Sequence, residues 1–273
     1  MFRALIVSTS LIFSTHCAFA QTDMPDLSDI VTIDLIKGWT LPDQTRMAAI
    51  RVTLAEGWKT YWRVAGETGL PPVFDWQAST NLDHVDYKWP RPEIIVQDGL
   101  QILGYSHQLI LPVLLTAVDP DAAIGASLAL DLGVCREVCV PVHVDLAASF
   151  DRAQGPERLL IDMALADQPK PAAAAGMTRA QCRLADMDGG FHLSARIDMP
   201  ALAGKYELVT LETGRADIWA SAARTRRQGN MLLAELDLMN YTGQPVTLDQ
   251  TAFRLTVIGQ NNAVDVPGCS TFE

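Results

Sequence analysis

Apolar side chains at every second position are the feature that most constrains the fold of this chain. In two neighbouring segments they alternate with small or polar residues. A period of two is typical of a strand that buries one face. Between residues 31 and 150 such segments are short and are separated by turn signals, which predicts a β-sandwich. The alternating positions are Leu128, Leu130, Leu132, Val142, Val144 and Leu146.

The pattern changes after residue 150 and then returns. Apolar side chains at helical spacing predict a short helix within 156–167, and the Pro- and Ala-rich stretch 168–176 predicts a linker. Strand-like segments then resume. The sequence therefore predicts an all-β protein with one domain at 21–150, a helix and linker at 151–176, and a second domain at 177–273. The strand-like segments of the second domain are 191–197, 207–211, 231–238 and 253–258.

The first twenty residues predict an exported protein. Arg3 precedes an apolar run, and the run ends at the small-residue site Ala18-Phe19-Ala20. This is the pattern of a secretory signal peptide at residues 1–20, with cleavage after Ala20. No later apolar stretch is long enough to predict a membrane span. We therefore expect a soluble, periplasmic mature protein.

The charge balance argues against nucleic acid as a partner. The chain has 21 Lys and Arg against 32 Asp and Glu, a net charge of -11. A nucleic-acid binder with this balance needs a dense local basic patch. Only Arg224, Arg226 and Arg227 stand close together in the sequence, so nucleic-acid binding is not expected.

The five cysteines separate into groups with different physics. Cys17 leaves with the predicted signal peptide, and the four that remain in an exported protein predict two disulfides. Cys182 and Cys269 lie 87 positions apart, near the two ends of the second domain. Closing so long a ring stabilises a fold by about 4.6 kcal/mol in the chain-entropy model. We therefore interpret this pair as a structural disulfide.

The other two cysteines, Cys135 and Cys139, are only four positions apart. A ring this short contributes only about 2 kcal/mol. Residues four apart on one straight strand are about 13 Å apart, too far for a disulfide, so the chain must turn between them. The flanking segments are strand-like, which predicts a β-hairpin with residues 136–138 at its tip. Such a bridge has the properties of a labile, exchangeable disulfide.

Three interpretations of the near pair stay open on the residues alone. The pair can exchange thiols and disulfides, it can simply tie a hairpin, or it can bind Cu(I), for which thiolates are good ligands. His143 is a candidate third copper ligand. Arg136 favours a thiolate at either sulfur, whereas Glu137 opposes it. The other histidines stand singly among strand-like segments, and no hydrolase, zinc or phosphate-loop motif occurs.

The first domain contains a set of recognisable motifs, which are GWKTYWRVAGETGLPP at 57–72, Trp76, WPRP at 89–92, LGY at 103–105, LPV at 111–113 and VCREVCVP at 134–141. As a set, these motifs resemble the N-terminal periplasmic domain of the DsbD family of thiol:disulfide interchange proteins. The three-residue gap between the cysteines is closer to the ScsB branch of that family. The likeness covers about residues 35–148, and residues 177–273 resemble the second sandwich of ScsB-type ectodomains.

The resemblance implies immunoglobulin-like sandwiches and a redox-active cysteine pair. In the family the second cysteine forms the mixed disulfide, which here is Cys139, and the first, here Cys135, resolves it. A cap loop covers the pair in the family, and the matching segment here is 98–105. The side chains that the resemblance places at the site are Leu100 and Ile102, one of which shields the pair, with Tyr105, Tyr61 and Trp62. For Tyr61 and Trp62, ordinary core packing is the alternative.

The resemblance also implies a role and partners. Family members accept electrons from a membrane-embedded domain and pass them to periplasmic oxidoreductases and isomerases of the thioredoxin type. The 273 residues contain neither the family's transmembrane part nor its thioredoxin-like domain, so a separate membrane electron donor is expected. No cofactor and no metal are expected for this activity. The alternatives are a Cu(I)-binding protein that uses the same cysteines and a non-catalytic interaction platform.

Overall fold

The computed structural model describes residues 26–66, 69–152, 154–242 and 246–272. The predicted signal peptide, residues 1–20, lies outside them. Strands make up most of the regular secondary structure of the described chain, which confirms the all-β prediction. Among the described residues, no helix has the length and hydropathy needed to cross a bilayer.

The first half of the chain forms two sheets that face each other. Sheet A has the strand order β1-β2-β8-β5, and sheet B has the order β10-β9-β3-β7-β6, with β4 also paired to β9. A short helix α1 (Leu27–Ile30) precedes them. The strands are β1 (Val31–Thr40), β2 (Arg46–Leu54), β3 (Lys59–Gly66), β4 (Val73–Asp75), β5 (Leu82–Tyr87), β6 (Glu93–Gln97), β7 (Leu100–Ser106), β8 (Gln108–Ala117), β9 (Ile124–Cys135) and β10 (Cys139–Phe150).

The second half forms two further sheets. Sheet C has the order β11-β19-β18-β14, and sheet D has the order β15-β17-β13-β12-β20, with β16 also paired to β17. The strands are β11 (Lys170–Pro171), β12 (Arg179–Met187), β13 (Gly190–Asp198), β14 (Leu208–Glu212), β15 (Ile218–Ala220), β16 (Arg224–Gln228), β17 (Met231–Asn240), β18 (Arg254–Ile258), β19 (Ala263–Pro267) and β20 (Ser270–Thr271). A 3₁₀ helix at Gln250–Ala252 precedes β18.

Each pair of sheets encloses its own apolar core, so the chain forms two immunoglobulin-like sandwiches. In the first, side chains of sheet A such as Ile50 and Val113 meet side chains of sheet B such as Trp62 and Leu130. In the second, sheets C and D enclose a separate cluster. The alternating positions of β9 face inward, which is why the period of two is so clear there: Leu128 and Leu130 are each 1 % exposed.

The segment between the sandwiches is more ordered than a linker. Helix α2 (Arg158–Ala166) forms where helical spacing predicts it, and Ile161 packs on the outer face of sheet A. Part of the predicted linker, however, is β11, which pairs with β19, followed by a 3₁₀ helix at Ala172–Ala175. Pro171 fits there because an edge strand does not need every backbone N–H. Ala172 is buried in the second core, so this part of the predicted linker packs against the second sandwich.

The two sandwiches touch each other. Leu208, Ile258 and Ala263 from the second sandwich pack on the core of the first. Beside them, the Nε of Arg63 donates to both carboxylate oxygens of Glu212 at 3.1 and 3.0 Å. Burial lowers the pKa of the Arg63 guanidinium, and the Glu212 carboxylate opposes that effect. The contact joins strand β3, close to the cysteine pair, to the second sandwich.

Candidate functional site

The near cysteines face each other across the neck of the β9–β10 hairpin. Cys135 ends β9, Cys139 begins β10, and the two are register partners joined by a disulfide with a Cα–Cα distance of 4.1 Å. Residues 136–138 form the tip, as the spacing predicts. The two sulfurs differ in access, because Cys135 is only 2 % exposed whereas Cys139 is exposed. An incoming thiol can therefore reach Cys139 and not Cys135.

Strand β3 contributes two side chains, Lys59 and Tyr61, to the face of the sheet that carries Cys135. Lys59 is the register partner of Cys135 on the other side of β9. Register partners point to the same face of a sheet, and so do residues two apart, which places Lys59, Tyr61 and Cys135 together. Thr60 and Trp62 point the opposite way. One strand thus contributes alternately to the cysteine site and to the core.

The hydroxyl of Tyr61 contacts both sulfurs. It donates to the Sγ of Cys135 at 2.7 Å and lies 3.1 Å from the Sγ of Cys139. Tyr61 is 1 % exposed, and burial raises the pKa of its hydroxyl. The hydroxyl is therefore protonated at neutral pH and serves as a hydrogen-bond donor to sulfur.

Two glycines make room for the Tyr61 ring. A Cβ at Gly69 would lie 2.2 Å from the ring, and one at Gly133 would lie 3.0 Å from its other edge. The distance at Gly69 excludes a side chain while the ring stays in place, and a Cβ at Gly133 would also lie 2.8 Å from the Cβ of Leu70. The position of the hydroxyl at the sulfurs therefore depends on two residues that have no side chain.

The segment predicted to be the cap loop, residues 98–105, belongs to a β-hairpin formed by β6 and β7. Its turn residues Asp98 and Gly99 have φ values of 53° and 82°, as a two-residue type I′ turn requires. Ile102 is 5 % exposed and packs with Tyr61 and Cys135. Leu100, which is 40 % exposed, lines the same cleft of about 170 Å³. We call this β6–β7 element the cap hairpin.

Polar contacts connect the cap hairpin to the tip of the cysteine hairpin. Gln97, at the end of β6, donates from Nε2 to the carbonyl oxygen of Arg136 at 3.0 Å. The Nζ of Lys59 donates to the same carbonyl at 3.3 Å and also to the Oε1 of Gln97. Burial lowers the pKa of the Lys59 ammonium, and the Asp98 carboxylate offsets part of this effect.

Sequence reasoning missed Lys59 and Gln97. Both line the cleft with the cysteines, yet they lie 76 and 38 positions before Cys135 and belong to no recognisable motif. For Lys59 a signal was available, because it has the same strand parity as Tyr61. The sequence instead directed attention to Arg136, whose guanidinium carbon lies 5.2 Å from the centre of the Trp58 ring.

Two residues predicted at the site are elsewhere. Trp62 is fully buried in the core of the first sandwich, because its neighbour Tyr61 occupies the other face of β3. Tyr105 is also in that core, where its hydroxyl donates to the carbonyl of Pro90 at 2.9 Å. Neither residue lines the cysteine cleft, so for Trp62 the alternative of core packing holds. The structure does bring Tyr61, Leu100 and Ile102 to the cysteines.

The far cysteines, Cys182 and Cys269, are also joined by a disulfide, with a Cα–Cα distance of 5.6 Å. Cys182 is 0 % exposed and Cys269 is 7 % exposed, and both belong to the second core. The bond ties β12 to the chain entering β20, which pairs with β12 over only two residues. Its setting is that of a structural cross-link.

His143 does not join the near cysteines. It lies four residues along β10, directly opposite Asp131 on β9, and the two side chains are 2.7 Å apart. The Asp131 carboxylate raises the pKa of the His143 imidazole. In the part of the chain that the structure describes, no group of three or more His, Cys, Asp or Glu side chains is placed to hold a metal ion.

Fold and site together define a class of protein. It is an all-β, immunoglobulin-like protein in which an exposed sulfur is bonded to a buried one beneath a cap hairpin. An accessible disulfide of this kind can undergo attack at the outer sulfur while the inner sulfur leaves.

Comparison with known proteins gives the family of the first sandwich. Residues 33–151 match the family model of the N-terminal domain of the thiol:disulfide interchange protein DsbD. The crystal structure of the N-terminal periplasmic domain of ScsB from Proteus mirabilis is similar in fold, with a TM-score of 0.64 and 20% identity over 89% of this chain and 92% of that one. No curated protein matches this chain. The chain therefore contains a DsbD N-terminal-type domain, a thiol–disulfide interchange module.

Proposed function

We propose that this chain is a periplasmic thiol–disulfide relay that exchanges electrons with thioredoxin-like oxidoreductases or isomerases. Cys139 is the residue that forms the mixed disulfide, and Cys135 is the resolving residue. The observation that carries this assignment is the difference in access, since Cys139 is exposed and Cys135 is 2 % exposed. The family of residues 33–151 supports the type of reaction.

When this chain donates electrons to a partner, the reaction starts from the reduced form, in which Cys135 and Cys139 are both thiols. The thiolate of Cys139 attacks a sulfur of the partner's disulfide, a Cys139–partner bond forms, and the partner's other sulfur leaves as a thiolate. The thiolate of Cys135 then attacks Cys139. The Cys135–Cys139 bond forms, and the electron pair stays on the partner, which departs as a dithiol after taking protons from water. A separate membrane protein with a dithiol regenerates the relay by the reverse sequence.

The activity is that of a protein-disulfide reductase. The Tyr61 hydroxyl favours both steps, since a hydrogen bond to sulfur stabilises the thiolate that forms or leaves. The cap hairpin, through Ile102, keeps the inner sulfur away from water and small oxidants. Exchange therefore depends on a partner that approaches from the exposed Cys139 side.

The test is a trapping experiment with single-cysteine variants. Reduced Cys135→Ala protein retains an accessible Cys139 and lacks the resolving thiol, so it should accumulate a covalent adduct with an oxidised thioredoxin-fold oxidoreductase. The adduct is measured by non-reducing electrophoresis and disappears with dithiothreitol. The matched control, Cys139→Ala, retains only the buried thiol and should form none.

Two results would contradict the assignment. An equal yield of adduct from Cys139→Ala means that access does not select the attacking sulfur. Absence of any adduct with Cys135→Ala, while the Cys182–Cys269 bond stays intact, means that the chain does not exchange with this class of partner.

A further inference from the structure

Lys59 carries a buried ammonium group whose hydrogen-bond partners are all neutral. The residue is 6 % exposed, and its Nζ donates to the Gln97 amide and the Arg136 carbonyl. Asp98 is the carboxylate that affects it most, yet within the described ranges the two form no ion pair. A buried charge whose hydrogen-bond partners are neutral is costly, and an opposite charge close by would stabilise it.

The cation lies beside a group that becomes negative during exchange. Lys59 and Cys135 are register partners on neighbouring antiparallel strands, and both line the same cleft. The Cβ atoms of such partners are about 5 Å apart. While the disulfide is intact, the sulfur of Cys135 is neutral. Once the disulfide is reduced, a thiolate at Cys135 is a counter-charge on the same buried face.

We propose that Lys59 is the electrostatic partner of the Cys135 thiolate and stabilises the charge that this sulfur acquires when the disulfide opens. This inference rests on the proposed function, in which Cys139 exchanges with the partner. When a partner thiolate attacks Cys139, the new bond joins those two sulfurs, the Cys135–Cys139 bond breaks, and its electron pair stays on Cys135. The partner's second thiolate then attacks the partner sulfur of the mixed disulfide. Cys139 leaves as a thiolate, and the partner becomes a disulfide.

The other charged groups around the cleft are placed less favourably for this role. Arg136 is exposed and stacks on the Trp58 ring, and Glu137 is exposed at the hairpin tip, so water screens both. Asp98 lies on the cap hairpin and its negative charge opposes a thiolate. Tyr61 donates a hydrogen bond to the same sulfur but is neutral. Lys59 is the buried positive charge among the residues that line the cleft.

The experiment measures thiolate formation at Cys135 directly. In the full chain carrying Cys139→Ser, the absorbance of the thiolate at about 240 nm is followed against pH, with the protein lacking both near cysteines as the blank. Adding Lys59→Met removes the charge and keeps the length of the side chain. We expect the midpoint of thiolate formation to rise by about one pH unit, a tenfold loss of thiolate at neutral pH.

Controls separate charge from packing. Lys59→Arg keeps the charge and should hold the midpoint within about 0.3 pH unit of the parent, whereas Lys205→Met, a change on the exposed surface of the second sandwich, should not move it. If Lys59→Met does not fold, Lys59→Gln carries the same expectation. The proposal is overturned if removal of the charge leaves the midpoint unchanged, or if Lys59→Arg shifts it as much as Lys59→Met. No partner protein is used, so failure of the relay itself gives a different result, namely no adduct in the trapping experiment.

Discussion

Removal of each disulfide in turn should destabilise different parts of the chain by different amounts. The Cys182–Cys269 bond closes a ring across 87 positions, whereas the Cys135–Cys139 bond spans four. In the chain-entropy model these rings contribute about 4.6 and about 2 kcal/mol. The structure sharpens the contrast. The near cysteines lie in a hairpin already held by a twelve-residue ladder, while β20 has only two paired residues to hold it.

Hydrogen exchange measured peptide by peptide is the appropriate assay, because two sandwiches need not unfold together. In Cys182→Ala/Cys269→Ala, the best-protected amides of β13 and β17 should exchange about two-thousandfold faster than in the parent, as expected for a loss of about 4.6 kcal/mol. In Cys135→Ala/Cys139→Ala, the same amides should keep their protection. The amides of β9 and β8 in that variant should lose no more than about 2 kcal/mol.

The reasoning is refuted if the near pair proves to be the stronger cross-link. This would be shown if Cys135→Ala/Cys139→Ala reduced protection in the first sandwich by at least as much as Cys182→Ala/Cys269→Ala reduces it in the second. Equal effects of both double variants on both sandwiches would refute it as well, since they would mean that each bond stabilises the whole chain.

Three further changes test other contacts of strand β3. Tyr61→Phe removes the donor to Cys135 and should slow reduction of the near disulfide by dithiothreitol about tenfold, as followed by thiol titration; an unchanged rate would contradict it. Gly104→Ala places a Cβ 2.1 Å from a backbone oxygen of β3 and should cost more than about 2 kcal/mol in urea unfolding, whereas full stability would show that β7 can move away. Arg63→Met leaves Glu212 without its partner and should cost about 2 kcal/mol. Restoring most of that loss with Glu212→Gln would show that the unpaired charge is the cause.

The class of fold can be predicted from the sequence because a strand that buries one face has apolar residues at every second position. Leu128 and Leu130 face the core and their neighbours do not, so the alternation is visible without a structure. The hairpin at the near cysteines can also be predicted from the sequence. A disulfide requires a short Cα–Cα distance, so the chain must turn between cysteines four positions apart. Both predictions use physics that acts within a dozen residues.

Contacts between distant strands are where prediction from sequence fails. Whether Tyr61 or Trp62 faces the cysteines depends on the register of β3 against β9, and no local pattern fixes it because both side chains are aromatic and buried. Lys59 shares the strand parity of Tyr61, so its place beside the cysteines follows once that register is known. Within the predicted linker, 168–176, the pairing of Lys170–Pro171 with β19 is another contact between distant segments that no local pattern indicates.

The strand β3 connects the chemistry of the site to the rest of the molecule. Lys59 and Tyr61 face the sulfurs, Trp62 fills the core of the first sandwich, and Arg63 reaches Glu212 of the second. Substitutions along this strand should therefore alternate in effect, with changes at Lys59 and Tyr61 acting on thiolate formation and exchange and a change at Trp62 acting on stability. Because Arg63 follows directly, a displacement of the second sandwich would be transmitted to β3 within two residues of the hydroxyl that contacts both sulfurs. The second sandwich thus contacts the strand that carries Tyr61 and Lys59, although none of its described residues lines the cysteine cleft.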